Sequence, residues 1–464
     1  MTFSFLSTDE HSAARRYLVS SAVWMAVGTL WGLVGAIHLT APDVFANIPW
    51  LEFGRIRPAH TNVVMLGFVT SGLIGTGLYF LPLFLKTRLR GERWANLAMW
   101  LWNAALLGGI ITLPLGLTQS REYAELIWPL DVLVVASFVL LFIVFILTVS
   151  SRQENTLYVS VWYFGGAILW TSLLYPLGNV MWHPATGSLE GTVDAVWHWF
   201  YGHNVLGLLM TPLAVAALYA MIPRIAKAPL YSHTLSLVGF WSLLAFYTHI
   251  GTHHLLQAPV PTWLKTISIV DSLAMVIPVV TVLVNLWMTL RGRFGVLRES
   301  VPGKLIFAGS VWYLLVCLQG PMQSLPSVQR YTHFTNWVIG HAHVAVLGFT
   351  GMIALGGLWY VLPLVSGRKL YSEFLANLQY WLVLIGVSGF FFVLTIAGLI
   401  QGAAWLDGQS VYRALPTVFP YMAARAMFGV LLVTAALVGL YNVIATLKWG
   451  EPLEAARGEE RAAP

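Results

Sequence analysis

The stretch TNWVIGHAHVAVLGFTGMIALGGLWYVLPL, residues 335–364, contains no Asp, Glu, Lys or Arg, yet it carries two histidines, His341 and His343. A helix crosses the hydrocarbon layer of a bilayer in roughly 20 residues, so this run is long enough to span. Ionisable side chains are costly at that depth and are kept there mainly for function. Eleven further apolar runs accompany it, near 17–40, 61–85, 94–117, 126–149, 157–179, 193–222, 231–256, 264–290, 303–320, 376–402 and 418–446. The whole chain is 58% hydrophobic and 9% charged. The class is therefore an all-α, polytopic membrane bundle of about 12 transmembrane helices.

The net charge of +6 reports orientation, not affinity for nucleic acid. Of 25 Lys and Arg residues, 18 fall at one end of the bundle, from Arg15 and Arg16 through Arg368 and Lys369 to the C-terminal tail. The positive-inside rule makes that end cytoplasmic and puts both termini inside. The first apolar run follows Arg15-Arg16 and is too long for a cleaved signal. The chain is expected to cross its membrane many times. One cysteine, Cys317, permits no disulfide within the chain, and no C-x-x-C-H motif is present to attach a c-type heme. No soluble domain, low-complexity linker or short repeat stands out. Residues 1–464 read as one domain with short tails at 1–16 and 447–464. Loops are expected near 41–59 and 180–192.

Six histidines share the outer half of this bundle: His60, His203, His253, His254, His341 and His343. Neutral imidazole is a good ligand for heme iron and for copper. A helix turns about 100° per residue, so His341 and His343 face opposite ways, and one helix can ligate a metal centre on each flank. His60 can complete a bis-histidine, electron-transfer heme on one flank. The other centre, with one protein ligand, keeps an open position for a substrate. His253 and His254 cannot share one face of a regular helix. At a loosened helix end both can turn to one ion, and His203 would complete a three-imidazole site suited to copper. Tyr247, seven residues before His254, returns to nearly the same face about 10 Å deeper. There a phenol can donate a proton and an electron.

These residues stand in motifs that resemble the catalytic subunit of cbb3-type (C-family) heme–copper oxidases. The motifs are Phe53-Gly54-Arg55-Ile56-Arg57-Pro58-Ala59-His60-Thr61-Asn62, then Tyr201-Gly202-His203-Asn204, then Tyr247 through His254, then Trp337-Val338-Ile339-Gly340-His341-Ala342-His343. Resemblance runs from about residue 15 to 446. It implies that His60 and His343 are axial ligands of low-spin heme b, and His341 of a high-spin b-type heme. It makes His203, His253 and His254 the copper ligands and Tyr247 the redox tyrosine, joined covalently to His203. Arg55 and Arg57 would meet heme propionates, whose carboxylates fit guanidinium forks, and Glu122 would hold calcium. Tyr231, Ser236 and Asn285 would begin a proton path from the cytoplasmic side. Small polar residues also hold membrane helices together, which is the other reading of these three. The implied reaction is reduction of dioxygen to water, coupled to proton uptake or translocation. The implied partners are membrane-anchored cytochrome c subunits or another electron-donor subunit.

The rival in the same superfamily is nitric oxide reductase, which places a glutamate one turn after the histidine matching His203 and lacks the tyrosine. Here Gly207 and Tyr247 occupy those places, favouring dioxygen. A multispan proton or metal transporter is the alternative from another class, but it gives no purpose to His-x-His paired with His60. The chain departs from the family pattern at Gln319 (usually Glu), Thr252 (usually Pro), Gly239 (usually His) and His249 (usually Trp). Trp337 and Trp241 are candidates for heme contact.

Overall fold

The computed structural model describes residues 5–181 and 189–453; most of the loop expected near 180–192 and most of the C-terminal tail lie outside them. Twelve helices of 15 residues or more, two of them joined by a short one at Pro326–Thr332, run through the described residues in the expected order. They are α1 Ser12–Thr40, α2 Phe53–Phe84, α3 Glu92–Thr112, α4 Trp128–Ser150, α5 Val159–Gly178 and α6 Gly191–Ala226. The second half holds α7 His233–Tyr247, α8 Thr262–Thr289, α9 Val301–Ser324, α10 Asn336–Ser366, α11 Glu373–Leu406 and α12 Val411–Trp449. Ten are long and apolar enough to cross a membrane by themselves. The other two are α5, with 20 residues, and α7, which has 15 and passes into a 3-10 segment at Ile250–Leu255. Several starts are written in the sequence. Ser232, Ser300, Thr335 and Ser372 each accept a backbone N–H from the first turn of their helix.

One boundary differs from expectation. The 41–59 connection was read as a loop, but α2 begins at Phe53, so Arg55, Arg57 and His60 all ride on helix. Pro58 sits inside that helix; it forfeits one backbone bond near the end of the element, which the rest of a 32-residue helix absorbs.

Three helices form the centre. In α2, α6 and α10 the apolar window is 89%, 94% and 78% buried, against 33–56% for the other helices long enough to span. All the histidines singled out above, except the adjacent pair, lie on these three. Each central helix also changes character just past its histidine. Val63–Thr70, Val205–Met210 and Val344–Gly351 are π-helical, a widening that recurs at functional sites. The reason is local. Thr70 and Thr350 hydroxyls donate to the carbonyls five residues back, at Met65 and Ala345. Pro212 follows the middle segment and supplies no N–H to a regular ladder.

A second recurrence lies at the basic end. The backbone N–H groups of Arg90, Tyr231 and Tyr371 donate to the hydroxyls of Thr148, Thr289 and Thr446 at 3.0, 3.0 and 3.1 Å. Asn285 clasps Ser232 through both its amide groups, and Asn442 clasps Ser372 in the same way. The chain is thus built on a threefold repeat of helix groups. The sequence reading found no repeat because what recurs is backbone geometry and a few cap residues.

Candidate metal centre

His60 and His343 face each other from α2 and α10. Their ring centroids are 6.4 Å apart with planes 24° from parallel. An imidazole nitrogen binds a metal at roughly 2 Å, so two trans imidazoles on one ion put their centroids roughly 6 Å apart. The outer nitrogens are taken: His60 Nδ1 donates to the Gly28 carbonyl and His343 Nδ1 to the Ile339 carbonyl, each at 2.7 Å. This fixes the tautomer and leaves both Nε2 atoms for a ligand between them. The His60 ring needs Gly32 beneath it, where a Cβ would stand 2.6 Å from Cε1. Phe390 closes the pocket, edge-on to His343 at 4.8 Å.

His203, His253 and His254 converge, with one nitrogen from each inside a 4.8 Å span. Among the described residues this is the one cluster of three or more His, Cys, Asp or Glu ligands. Adjacent histidines reach one point because α7 stops at Tyr247 and His253 and His254 sit in the tighter 3-10 segment. His253 Nδ1 meets the Ser272 hydroxyl at 2.9 Å, and His203 Nδ1 meets His254 Nε2 at 3.1 Å. The Nε2 atoms of His203 and His253 are buried with no hydrogen-bond partner. Buried nitrogens are costly when unpaired, and a d-block cation held by three imidazoles would satisfy them.

Tyr247 lies against this cluster, its ring stacked on His203 at 4.8 Å and 25°. The expected depth of two helical turns does not apply, because the chain is not a continuous helix between Tyr247 and His254. What makes room for the phenol is Gly207, one turn past His203: a Cβ there would overlap the Tyr247 ring itself. The glycine and the tyrosine are therefore one feature. No larger side chain fits at 207 while Tyr247 keeps this position.

A cavity joins the cluster to His341, and Tyr247, Tyr313 and Cys317 also line it. It sets the His341 imidazole on one wall and the triad on another. His341 Nδ1 meets Gln319 Oε1 at 3.3 Å, and the buried Trp337 ring stacks on His341 at 5.6 Å. Trp241, the other tryptophan considered for heme contact, is exposed beside Trp162 and Phe240.

The remaining candidates divide. Arg55 donates to the Pro114 carbonyl at 3.2 Å. Arg57 and Glu122 form an ion pair with each other, as do Arg121 and Asp194. Glu125 in the same loop is buried and accepts from Asn62 on α2 at 2.8 Å. Burial pushes its carboxyl up to about 7, against the pull of Asn62 and Arg57. At the basic end Asn285 Nδ2 reaches Ser236 Oγ at 3.1 Å and Tyr219 OH at 3.3 Å. Tyr231 points out of this group, with its side chain exposed. His249 is exposed and meets Asp271 at 3.1 Å, outside the ligand cluster.

Arg425, on α12, escaped the sequence reading. Among the described residues no hydrogen bond or ion pair engages it, although it is half-buried. A guanidinium at mid-membrane costs about 2.5–3.5 kcal/mol by insertion scales. The signal was available: it is one of few charges inside an apolar run.

With this geometry in place, comparison with known proteins is informative. The profile of the family described as cytochrome C and quinol oxidase polypeptide I matches residues 12–450. The cbb3-type cytochrome c oxidase subunit CcoN1 of Stutzerimonas stutzeri is 32% identical over 457 residues, 96% of each chain. A bacteroid cytochrome c oxidase subunit 1 homolog of Bradyrhizobium diazoefficiens is 33% identical, covering 92% of this chain and 80% of its own. A solved heme–copper terminal oxidase dimer superposes with a TM-score of 0.78 at 19% identity, covering 95% of this chain and 85% of the other. That likeness speaks for the fold.

Proposed function

Because this chain belongs to the cytochrome c and quinol oxidase polypeptide I family, we propose that it is the catalytic subunit of a cbb3-type terminal oxidase, reducing dioxygen to water. The observation that carries the reading is Tyr247 stacked on His203 in space that only Gly207 leaves free.

In this reading His60 and His343 hold a low-spin heme b, His341 a high-spin b-type heme, and His203, His253 and His254 copper. When bound, these groups supply the electron relay and the site where dioxygen is reduced. The chain's own residues do the rest. Gly28 and Ile339 carbonyls hold the outer two imidazoles in one tautomer. Gln319 orients His341, and Ser272 orients His253. The Tyr247 phenol lines the cavity and would supply a proton and an electron there. Arg55 and Arg57 are positioned to meet propionates. Calcium at Glu122 would have to share that carboxylate with Arg57.

Proton uptake enters from the basic end, which the charge bias makes cytoplasmic. The clasp of Asn285 on Ser232 recurs at Asn442 and Ser372, so it serves helix packing. Ser236 and Tyr219 are what this repeat adds, since Ala376 stands where Ser236 would recur. These two, with Asn285, are the stronger path candidates. Electrons would come from membrane-anchored cytochrome c subunits in a bacterial inner membrane.

Turnover of the purified complex tests this, with dioxygen uptake and anaerobic nitric oxide uptake measured from one artificial reductant. Fast dioxygen uptake that collapses in Tyr247→Phe is expected. Fast nitric oxide uptake with negligible dioxygen uptake would assign the reductase instead.

A further inference from the structure

The low-spin pocket contains a charge that the polypeptide does not balance. Arg425 lies on the face of α12 that also carries Met422 and Gly429, since steps of three and four residues keep to one side of a helix. Met422 packs in the cluster that contains Phe390, and Phe390 closes over His343. Gly429 approaches Leu33 on α1, next to the Gly32 that cradles His60. Arg425 therefore lies on the side of α12 that packs toward the His60–His343 pocket. Among the described residues no carboxylate pairs with it and no hydrogen bond engages it, and no acidic side chain exerts a field on it.

A half-buried cation on a membrane-spanning helix is best held beside a counter-charge. Resting on the bis-histidine reading above, we propose that Arg425 is the electrostatic tuning residue of the low-spin heme, balanced by the heme itself. A heme held by two neutral imidazoles with its propionates ionised carries net negative charge. It becomes one unit more negative when the iron takes an electron from the donor subunit. A fixed guanidinium beside it favours the reduced form and raises its potential. The sign is the same whether the guanidinium faces the iron or a propionate, because in either place it opposes the added negative charge. Nature thus uses a charge that would be prohibitive in an empty bundle to set how readily the first acceptor is reduced.

The test is a redox titration of the low-spin absorption band in the purified complex. Arg425→Leu should shift the oxidised-to-reduced ratio at fixed potential at least tenfold toward oxidised, a 59 mV fall for one electron. Arg425→Lys should stay within threefold of the wild type. If Arg425→Leu does not assemble, Arg425→Gln keeps the bulk and hydrogen bonding without the charge and should show the same fall. A purely structural role would lower heme content without moving the potential of the heme that remains. An unmoved potential in either neutral variant, with the six-coordinate low-spin spectrum intact, overturns the proposal. Absence of that spectrum from the wild-type complex would be a different failure, that of the His60–His343 reading on which the proposal rests.

Discussion

His60 and His343 hang from backbone carbonyls of helices, whereas His203, His253 and His254 are held by one another and by one serine hydroxyl. Backbone acceptors in a helix cannot rotate away, so the first pair is set before any ligand arrives. The second group has buried nitrogens without partners, and two of its members, His253 and His254, sit where regular helix has given out. Its geometry is completed by what it binds. Both places rest on a glycine, Gly32 under the His60 ring and Gly207 under the Tyr247 ring. An electron relay needs its ligands fixed, because nothing is exchanged there. A reaction site needs ligands that can settle around an ion and a substrate.

Adding one methyl group at each glycine should break the two regions separately. Gly207→Ala forces the Tyr247 ring off His203. Dioxygen turnover should fall at least a hundredfold, about 3 kcal/mol at the transition state, with the low-spin spectrum unchanged. Gly32→Ala should do the converse: His60 is displaced, the six-coordinate low-spin signal is lost, and copper stays bound. Paired optical spectra and copper analysis on the two variants read this directly. Loss of the low-spin signal in Gly207→Ala, or of copper in Gly32→Ala, would mean the pockets are not independent.

The contrast explains what the sequence could and could not reveal. His341 and His343 serve different flanks because they sit two residues apart on true helix, and helical phase predicts that. Phase arithmetic from Tyr247 to His254 does not hold, since α7 ends at Tyr247, and the phenol instead stacks on His203. Gly207 and Tyr247 looked like two separate arguments for dioxygen; in space they are one, which no spacing along the chain could disclose. Arg425 is legible as a lone charge in an apolar run, but nothing along the chain marks which pocket its face of α12 packs toward. The π segments and the threefold repeat were invisible for another reason. They are properties of backbone bonding, and their only trace in sequence is a hydroxyl or proline at the far end of each segment.

A smaller effect sharpens the claim that the proposed copper ligands are held loosely. Among the described residues Ser272 is the one side chain that hydrogen-bonds the His253 ring. Such outer partners are typically worth ten- to a hundredfold in metal affinity. Ser272→Ala should weaken copper retention about tenfold in a chelator competition and leave both heme signals in place. Unchanged copper retention would show that the cluster is as rigid as the bis-histidine pair.

The smallest effect probes the low-spin side with pH. If that pocket is held by backbone, acidity should not alter its ligation, but it should alter the loop that clamps α2 at Asn62, two residues past His60. Glu125 makes that clamp, and burial lifts its carboxyl from 4.5 to about 7. A raised carboxyl is favoured protonated in the docked loop. Its contribution is therefore complete below about pH 4.5 and is lost as pH rises through about 7. A shift of this size amounts to roughly 3 kcal/mol at most. Glu125→Gln keeps an acceptor for Asn62 and cannot ionise. Hydrogen exchange across residues 117–127 should be alike in the two proteins at pH 5, and at pH 8 the wild-type loop should open at least tenfold more often. The low-spin spectrum should be the same in both at either pH. Equal exchange at pH 8 would remove the buried-acid argument, whereas a spectrum that follows the loop would show that the backbone-held pair depends on its surroundings as much as the copper ligands do.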